Sequence, residues 1–286
     1  MGKKRATLTD LLNDLTFRVI YDKFRLVCLN LFEWKNLPDG IEERHVENLL
    51  FEYGNAIFFR DPAMSYMCLK ASPSANVNVN GDPLAWRAIG FNYNEEYAAD
   101  NCVIIRNNKE MIATKDFILF YANKIAEAER TMDVNVKACK TPYIFSVDEN
   151  SVLSFKAIFE KIDGNVPAIY TDKKINVKDI QVLQTGVPFL GDKLHDYKNS
   201  VESELLTFIG QNNTPIDKKE RLITAEASSN DQLIQSFREI QLEARQKACE
   251  KINELYGLNI SVDLRGVENS VESVENEEDE EVIENV

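Results

Sequence analysis

Four lysines, Lys193, Lys198, Lys218 and Lys219, are the basic side chains whose placement suggests a shared task. Two fall in a helical pattern and two at the mouth of a polar loop that also holds Ser228, Ser229 and Asn230. A lysine offers phosphate a mobile point charge. On a helix it serves equally well as a solvated or salt-bridged surface residue. The spacing alone leaves both readings open. The interleaved aromatics that mark single-strand binders are missing around these lysines.

The remaining reactive side chains form no familiar constellation. His45 and His195 are the two histidines, and neither sits in a metal-ligand spacing. His195, between Leu194 and Asp196, reads as a helix-surface residue. There is no G-x-x-x-x-G-K-[ST] phosphate loop and no G-x-S-x-G elbow. Carboxylate neighbours such as Asp148 with Glu149, or Asp192 with Asp196, read as solvated charge in so acidic a chain. Cys28, Cys68, Cys102, Cys139 and Cys249 are odd in number and far apart, which favours free thiols over a disulfide framework. No catalytic residue, metal or cofactor is called for, and the chain is expected not to be an enzyme.

The lysine-bearing segments depend on long helices. Leu190, Leu194, Tyr197, Val201, Leu205 and Phe208 recur at steps of four and three and make one apolar stripe. Gly210 follows, where a left-handed helix terminus is expected. Residues 211–230 read as a polar loop, long enough to suggest a function. Ser229 and Gln232 make a capping-box pattern for a further helix to Tyr256, which Gly257 ends. A matching long helix is expected over 114–138, with Phe117, Ile118, Tyr121, Ile125, Ala128, Met132 and Val136 at helical spacing, closed by Thr141-Pro142.

Between and before these lie smaller elements. Residues 7–31 read as a helix that 36–40 stops, and 41–53 as a second, shorter one. Strands are expected at 56–60, 86–93 and 102–106, with a turn at Asp61-Pro62 and an extended loop over 73–83. A compact α/β unit follows the long helix: strand 143–147, helix 154–162 with Ser154 as N-cap, and strands 166–170 and 180–183. Residues 259–264 alternate as a final strand. The fold class is mixed, mainly α with small β modules. The helical stripes are narrow and their other faces charged, so the helices pack along seams, in a bundle or between copies.

Charge is unevenly spread. The chain carries −14, and residues 268–286 hold nine acidic residues and no basic one, leaving −5 for the rest. Such a block reads as an acidic, solvated tail. No run of about eighteen apolar residues suggests a membrane span, and 8–17 is too polar for a signal-peptide core.

Leu31-Phe32-Glu33-Trp34-Lys35-Asn36-Leu37-Pro38 resembles the upper collar proteins of small podophages of the phi-twenty-nine kind, also called head–tail connectors or portal proteins. Further similar pieces follow in that family's order. They are Lys140-Thr141-Pro142, Gly164-Asn165-Val166-Pro167, Asp192-Lys193-Leu194, Thr207-Phe208-Ile209-Gly210, Lys218-Lys219-Glu220-Arg221, Ser228-Ser229-Asn230-Asp231 and the run from Glu250 to Asn259. Together the colinear pieces reach from 31 to 262.

The resemblance implies a portal-type subunit with long stem helices, an α/β clip and a β-rich wing. It places a basic arm and first helix at 1–38, the wing at 39–113, stem helices at 114–139 and 189–210, and the clip at 140–188. A channel loop follows at 211–230, a long helix and strand of the crown and wing at 231–265, and the acidic tail at 266–286. It implies a homo-oligomeric ring, usually of twelve copies, in the virion at the portal vertex and assembled in the host cytoplasm. Double-stranded DNA would pass through the ring. A packaging ATPase, a lower collar or tail protein, and the major capsid and scaffold proteins would be its partners, with no membrane contact.

Lys193, Lys198, Lys218, Lys219, Ser228, Ser229 and Asn230 become candidates for the DNA channel. Lys3, Lys4 and Arg5 become the positions for contact with a packaging RNA or the motor. They stand nearly alone where the family's arm is longer, which weakens the RNA expectation. The acidic tail lies outside the pieces that carry the resemblance. The competing reading is a non-catalytic helical adaptor or scaffold working as monomer or dimer.

Overall fold

A computed structural model of the chain describes residues 8–139, 143–145, 180–182, 188–213 and 224–266. The expected helix 154–162, the strand 166–170, Lys3 to Arg5, Lys218, Lys219 and the acidic tail lie outside the described residues. The chain divides into two units, Met1–Ala126 with Asn199–Val286, and Glu127–Lys198.

In the first unit, helix α1 (Leu8–Leu29) leads into strand β1 (Phe32–Lys35), helix α2 (Glu43–Tyr53) and strand β2 (Asn55–Asp61). Strands β3 (Ser65–Pro73), β4 (Ala85–Gly90), β5 (Tyr93–Ala98) and β6 (Cys102–Arg106) complete an antiparallel sheet of order β5-β4-β3-β2-β6. Side chains alternate across a strand, so the apolar run in β2 serves two cores at once. Ala56 and Phe58 face a cluster with Val46 and Leu50 of α2. Ile57 and Phe59 face Ala71, Trp86 and Ala88.

The second of these cores exists because the sheet curls on itself. Phe59 of β2 lies 4.3 Å, ring to ring, from Tyr97 of β5, although two strands separate them in the hydrogen-bonded order. The Asp61 carboxylate accepts from the Tyr93 hydroxyl at 2.8 Å and from the backbone amides of Ala63 and Met64. The Tyr93 hydrogen bond, with those amides, holds the Asp61 carboxyl below the usual range. Twist of antiparallel strands makes such curling natural.

Helix α3 begins at Thr114 and runs to Cys139; α4 spans Gly191–Phe208 and α5 spans Thr224–Tyr256. Strand β9 (Ser261–Leu264) then pairs antiparallel with β1, Trp34 opposite Val262, joining the last described strand to the first. A buried ion pair ties these parts to α2. Arg245 of α5 and Glu47 of α2 are each 2% exposed, and the guanidinium grips the carboxylate through two bonds of 2.9 and 2.8 Å. Trp34 Nε1 donates to the same carboxylate at 2.8 Å, and Asn107 accepts from Arg245 through its side chain and its backbone carbonyl. The Gln241 carbonyl accepts from the fifth guanidinium N–H at 3.1 Å, so every donor of the buried charge is occupied, which is what makes a buried charge tolerable.

Gly54, after α2, has φ +77°, and a Cβ there would stand 1.9 Å from the Met111 carbonyl oxygen. Only glycine lets the two backbones meet, and the Gly54 carbonyl accepts from Asn107 N–H at 2.9 Å.

Four elements differ from the sequence expectation, and the first is β3, at Ser65–Pro73, where no strand was expected. The first helix ends at Leu29, and Phe32–Lys35 is a strand rather than the lead-in to a stop. The 86–93 strand is two strands, β4 and β5, turning at Phe91 and Asn92, the latter with φ +55°. The polar loop is shorter than 211–230, because α5 starts at Thr224 and contains Ser228, Ser229 and Asn230. Ala225-Glu226-Ala227 supplies strong helix formers, so the helix does not wait for the Ser229 box. In the second unit β7 (Tyr143–Phe145) pairs antiparallel with β8 (Ile180–Val182), at two of the three strand positions expected there.

Candidate functional site: the paired long helices and the clasped loop

Helices α3 and α4 run antiparallel, and their contacts follow from their stripes. In the first unit Ile118 and Ile125 of α3 share a core with Val201 and Leu205 of α4 and with Phe24 and Cys28 of α1. Phe117 stacks on Phe208 at 4.3 Å. Lys23 of α1 forms an ion pair with Glu202 of α4.

In the second unit the contacts are polar. Asn135 of α3 is buried and faces the start of α4. Its Oδ1 accepts from Leu190 N–H at 2.8 Å and its Nδ2 donates to the Pro188 carbonyl at 3.0 Å. This amide does from a neighbouring helix what an N-cap does locally: it satisfies a backbone donor that the first turn of α4 leaves open. Lys198 Nζ lies 2.8 Å from Glu129 Oε1, with the lysine side chain 19% exposed. Lys198 is therefore a strut between the helices, and its charge is matched. Lys193 is exposed and has no ion-pair partner among the described residues.

The loop after α4 is held at both ends. Gly210 takes φ +76°, with Gln211 N–H donating to Leu206 O at 2.8 Å and Gly210 N–H to Thr207 O at 3.0 Å. That double bond pattern is a Schellman terminus. A Cβ on Gly210 would crowd Arg238, its Cβ at 3.0 Å and its backbone at 3.1 and 3.2 Å, and Arg238 Nε donates to the Gly210 carbonyl at 2.9 Å. Beyond it, Asn213 and Asn230 face each other amide to amide: Asn230 Nδ2 donates to Asn213 Oδ1 at 2.7 Å. Asn213 Nδ2 donates in turn to the Ser203 carbonyl at 3.2 Å.

Asn230 is thus a clasp at the base of the loop. Sequence reasoning placed Asn230 in the loop and passed over Asn213, Asn135 and Arg238. A lone Asn or Arg within a helical pattern carries no periodic signal, and only the partner reveals it.

No group of three or more His, Cys, Asp or Glu that could hold a metal ion occurs among the described residues. Four thiols are buried. Burial pushes Cys28, Cys68 and Cys249 up to about 12 and Cys102 to about 11. No helix among the described residues is long and apolar enough to cross a membrane.

The fold of the chain is similar to that of a chain in a solved assembly. A chain of the portal and tail of native bacteriophage P68 is similar at TM-score 0.50 and 16% identity, covering 99% of this chain and 100% of that one. A chain from the virion of a native gene transfer agent gives TM-score 0.47 at 10% identity over 93% and 83% of the two chains. An HK97 family portal protein from Corynebacterium diphtheriae gives 0.42 at 9% over 92% and 96%. The P68 likeness speaks for the fold. The Phage Connector (GP10) family description matches residues 6–267, most of the length, and favours the connector reading over the adaptor. The chain therefore belongs to the phage connector family and is a phage portal, or head–tail connector, protein.

Proposed function

We propose that the protein forms a closed ring, of about twelve copies by the family resemblance, at one vertex of the phage capsid, with double-stranded DNA passing through its centre. In this reading α3 and α4 are the stem helices around the channel and residues 211–223 are the channel loop. Residues 140–188 form the clip facing the packaging ATPase and later the lower collar and tail. The curled sheet forms the outer wing, against capsid and scaffold proteins. The ring acts as a conduit and leaves the chemistry to the motor.

The observation that carries the reading is the antiparallel pair α3–α4, fixed by the Asn135 amide and the Lys198–Glu129 strut. A conduit needs a wall that keeps its shape without gripping its cargo. Each phosphate bound by a cation releases counterions, with a salt slope of about 0.9 per contact, and many such contacts would arrest the duplex. The exposed charged residues of the two helices suit low friction. Among their exposed charged residues, Asp116, Glu127, Asp133, Asp192, Asp196 and Glu204 outnumber Lys137 and Lys193, and Glu127 is paired with the less exposed Arg130. Lys193, Lys218 and Lys219 are proposed as the sparse cations that moderate repulsion, while Lys198 serves the wall.

Negative-stain imaging with native mass spectrometry of the purified protein tests the ring. A closed ring with a central hole is expected. A monomer or dimer at every salt concentration, including in the presence of capsid and scaffold proteins, sinks the proposal.

A further inference from the structure

Strand β6 lies at one edge of the five-stranded sheet and ends in Arg106, and α5 packs along it. Between them opens a cleft of about 410 Å³ whose charged lining is Arg106, Lys109, Glu243, Lys247 and Lys251. Four cations to one anion is an unusual local balance in a chain of net charge −14. Glu243 is already engaged, at 2.5 Å by Lys247 and at 3.7 Å by Lys109. Arg106 and Lys251 are exposed and have no ion-pair partner among the described residues. The cleft therefore offers a surplus of positive charge and a guanidinium free to take a carboxylate in bidentate fashion.

The chain itself supplies the complement. Residues 268–286 carry nine acidic side chains and no basic one, densest at Glu277, Glu278, Asp279, Glu280 and Glu281. They follow β9, which is anchored to the same helix that bears Lys247 and Lys251. Asn253 of α5 exchanges two hydrogen bonds of 2.8 Å with the Ile260 backbone just before that strand. At about 3.3 Å per extended residue, a segment of this length reaches tens of ångströms, so reach is no obstacle. A tethered acidic segment also competes at an effective concentration on the order of millimolar.

We propose that the cleft between β6 and α5 is the docking site of this chain's own acidic C-terminal segment. Exposed ion pairs are individually weak, so the contact is electrostatic, reversible and salt-sensitive. Docked there, the segment keeps other polyanions off this cationic cleft. The inference stands apart from the ring: it requires only this fold and this sequence.

Zero-length carbodiimide cross-linking of the full chain at low salt, followed by denaturing electrophoresis and peptide mapping, tests it. Links from the 277–281 carboxylates to Lys109, Lys247 and Lys251 are expected within the monomer band. Their yield should fall about fivefold or more in half-molar salt, where the screening length shrinks below about 5 Å. Arg106→Glu, read at Lys109 and Lys247, should lower them similarly while leaving the circular dichroism spectrum unchanged. Links confined to the dimer band overturn the proposal in favour of a second copy's tail. Tail links spread over all exposed lysines, or unchanged by Arg106→Glu, overturn it outright. So does a short duplex DNA that binds the full chain and shields these lysines, which would assign the cleft to phosphate.

Discussion

At the scale of single residues, stability rests on Arg245 and Glu47, because each is buried and each answers the other. Removing one partner leaves a charge without water or counterion, a loss of about 3–5 kcal/mol in comparable buried pairs. Arg245→Ala should therefore lower the unfolding free energy by about that much in a urea titration. Arg87→Ala, which breaks the half-exposed pair with Glu96 on the sheet surface, should change it by less than about 1 kcal/mol. Equal losses from the two would show that the buried pair is not the keystone.

The buried thiols make a second, pH-dependent prediction. In the unfolded chain a thiol ionises near pH 8.5, whereas Cys28, Cys68 and Cys249 hold their protons to about 12 when folded. Above pH 8.5 the unfolded state binds fewer protons than the folded one, so stability falls as pH rises. Urea midpoints measured under reducing conditions should decline from pH 8.5 upward, and less steeply in Cys68→Val. In the native protein, alkylation should reach Cys139, the exposed thiol, well before the four buried ones.

At the scale of elements, the α3–α4 pair predicts how the start of α4 behaves. Asn135→Ala removes both the acceptor for Leu190 N–H and the donor to Pro188. Amide exchange at 190–194 should accelerate, with a loss of about 1 kcal/mol, the usual worth of an N-cap. Asn135→Asp should restore the acceptor and much of the protection. No change with Ala would mean that apolar packing alone positions the helix.

The long helices were readable because their stripes persist over many turns; α3 lies within a residue of its expected bounds. β5 was not readable, since it is mostly polar and its two inward residues, Tyr93 and Tyr97, stand four apart, a spacing that suits one face of a helix as well as of a strand. β1 has only four residues, and its sense depends on β9, more than two hundred positions away. The site divides the same way. Lys198 was found by type and spacing, but its role as a strut depends on Glu129, which nothing near it in sequence announces.

At the scale of the whole molecule, the proposed ring raises the question of how an acidic wall would retain DNA without stopping it. A wall with few cations repels a centred duplex from every side, and any retention must come from the sparse lysines proposed for the channel. Each copy of the ring repeats them, so a single substitution removes a full circle of charge. Replacing Lys193, Lys218 and Lys219 together by alanine should leave the rate of packaging near that of the wild type. It should also increase the fraction of packaged DNA that escapes to nuclease before tail attachment. The diagnostic is salt. Retention by lysine–phosphate contacts falls as salt rises, by about 0.9 in logarithmic slope per contact, so the triple variant should show a shallower dependence than the wild type. Lys198→Ala should behave otherwise: loss of the strut loosens the helix pair at all salt concentrations, and the slope stays that of the wild type. If the triple variant keeps both its retention and its salt slope, the lysines are surface charge and the hold on DNA lies elsewhere in the ring.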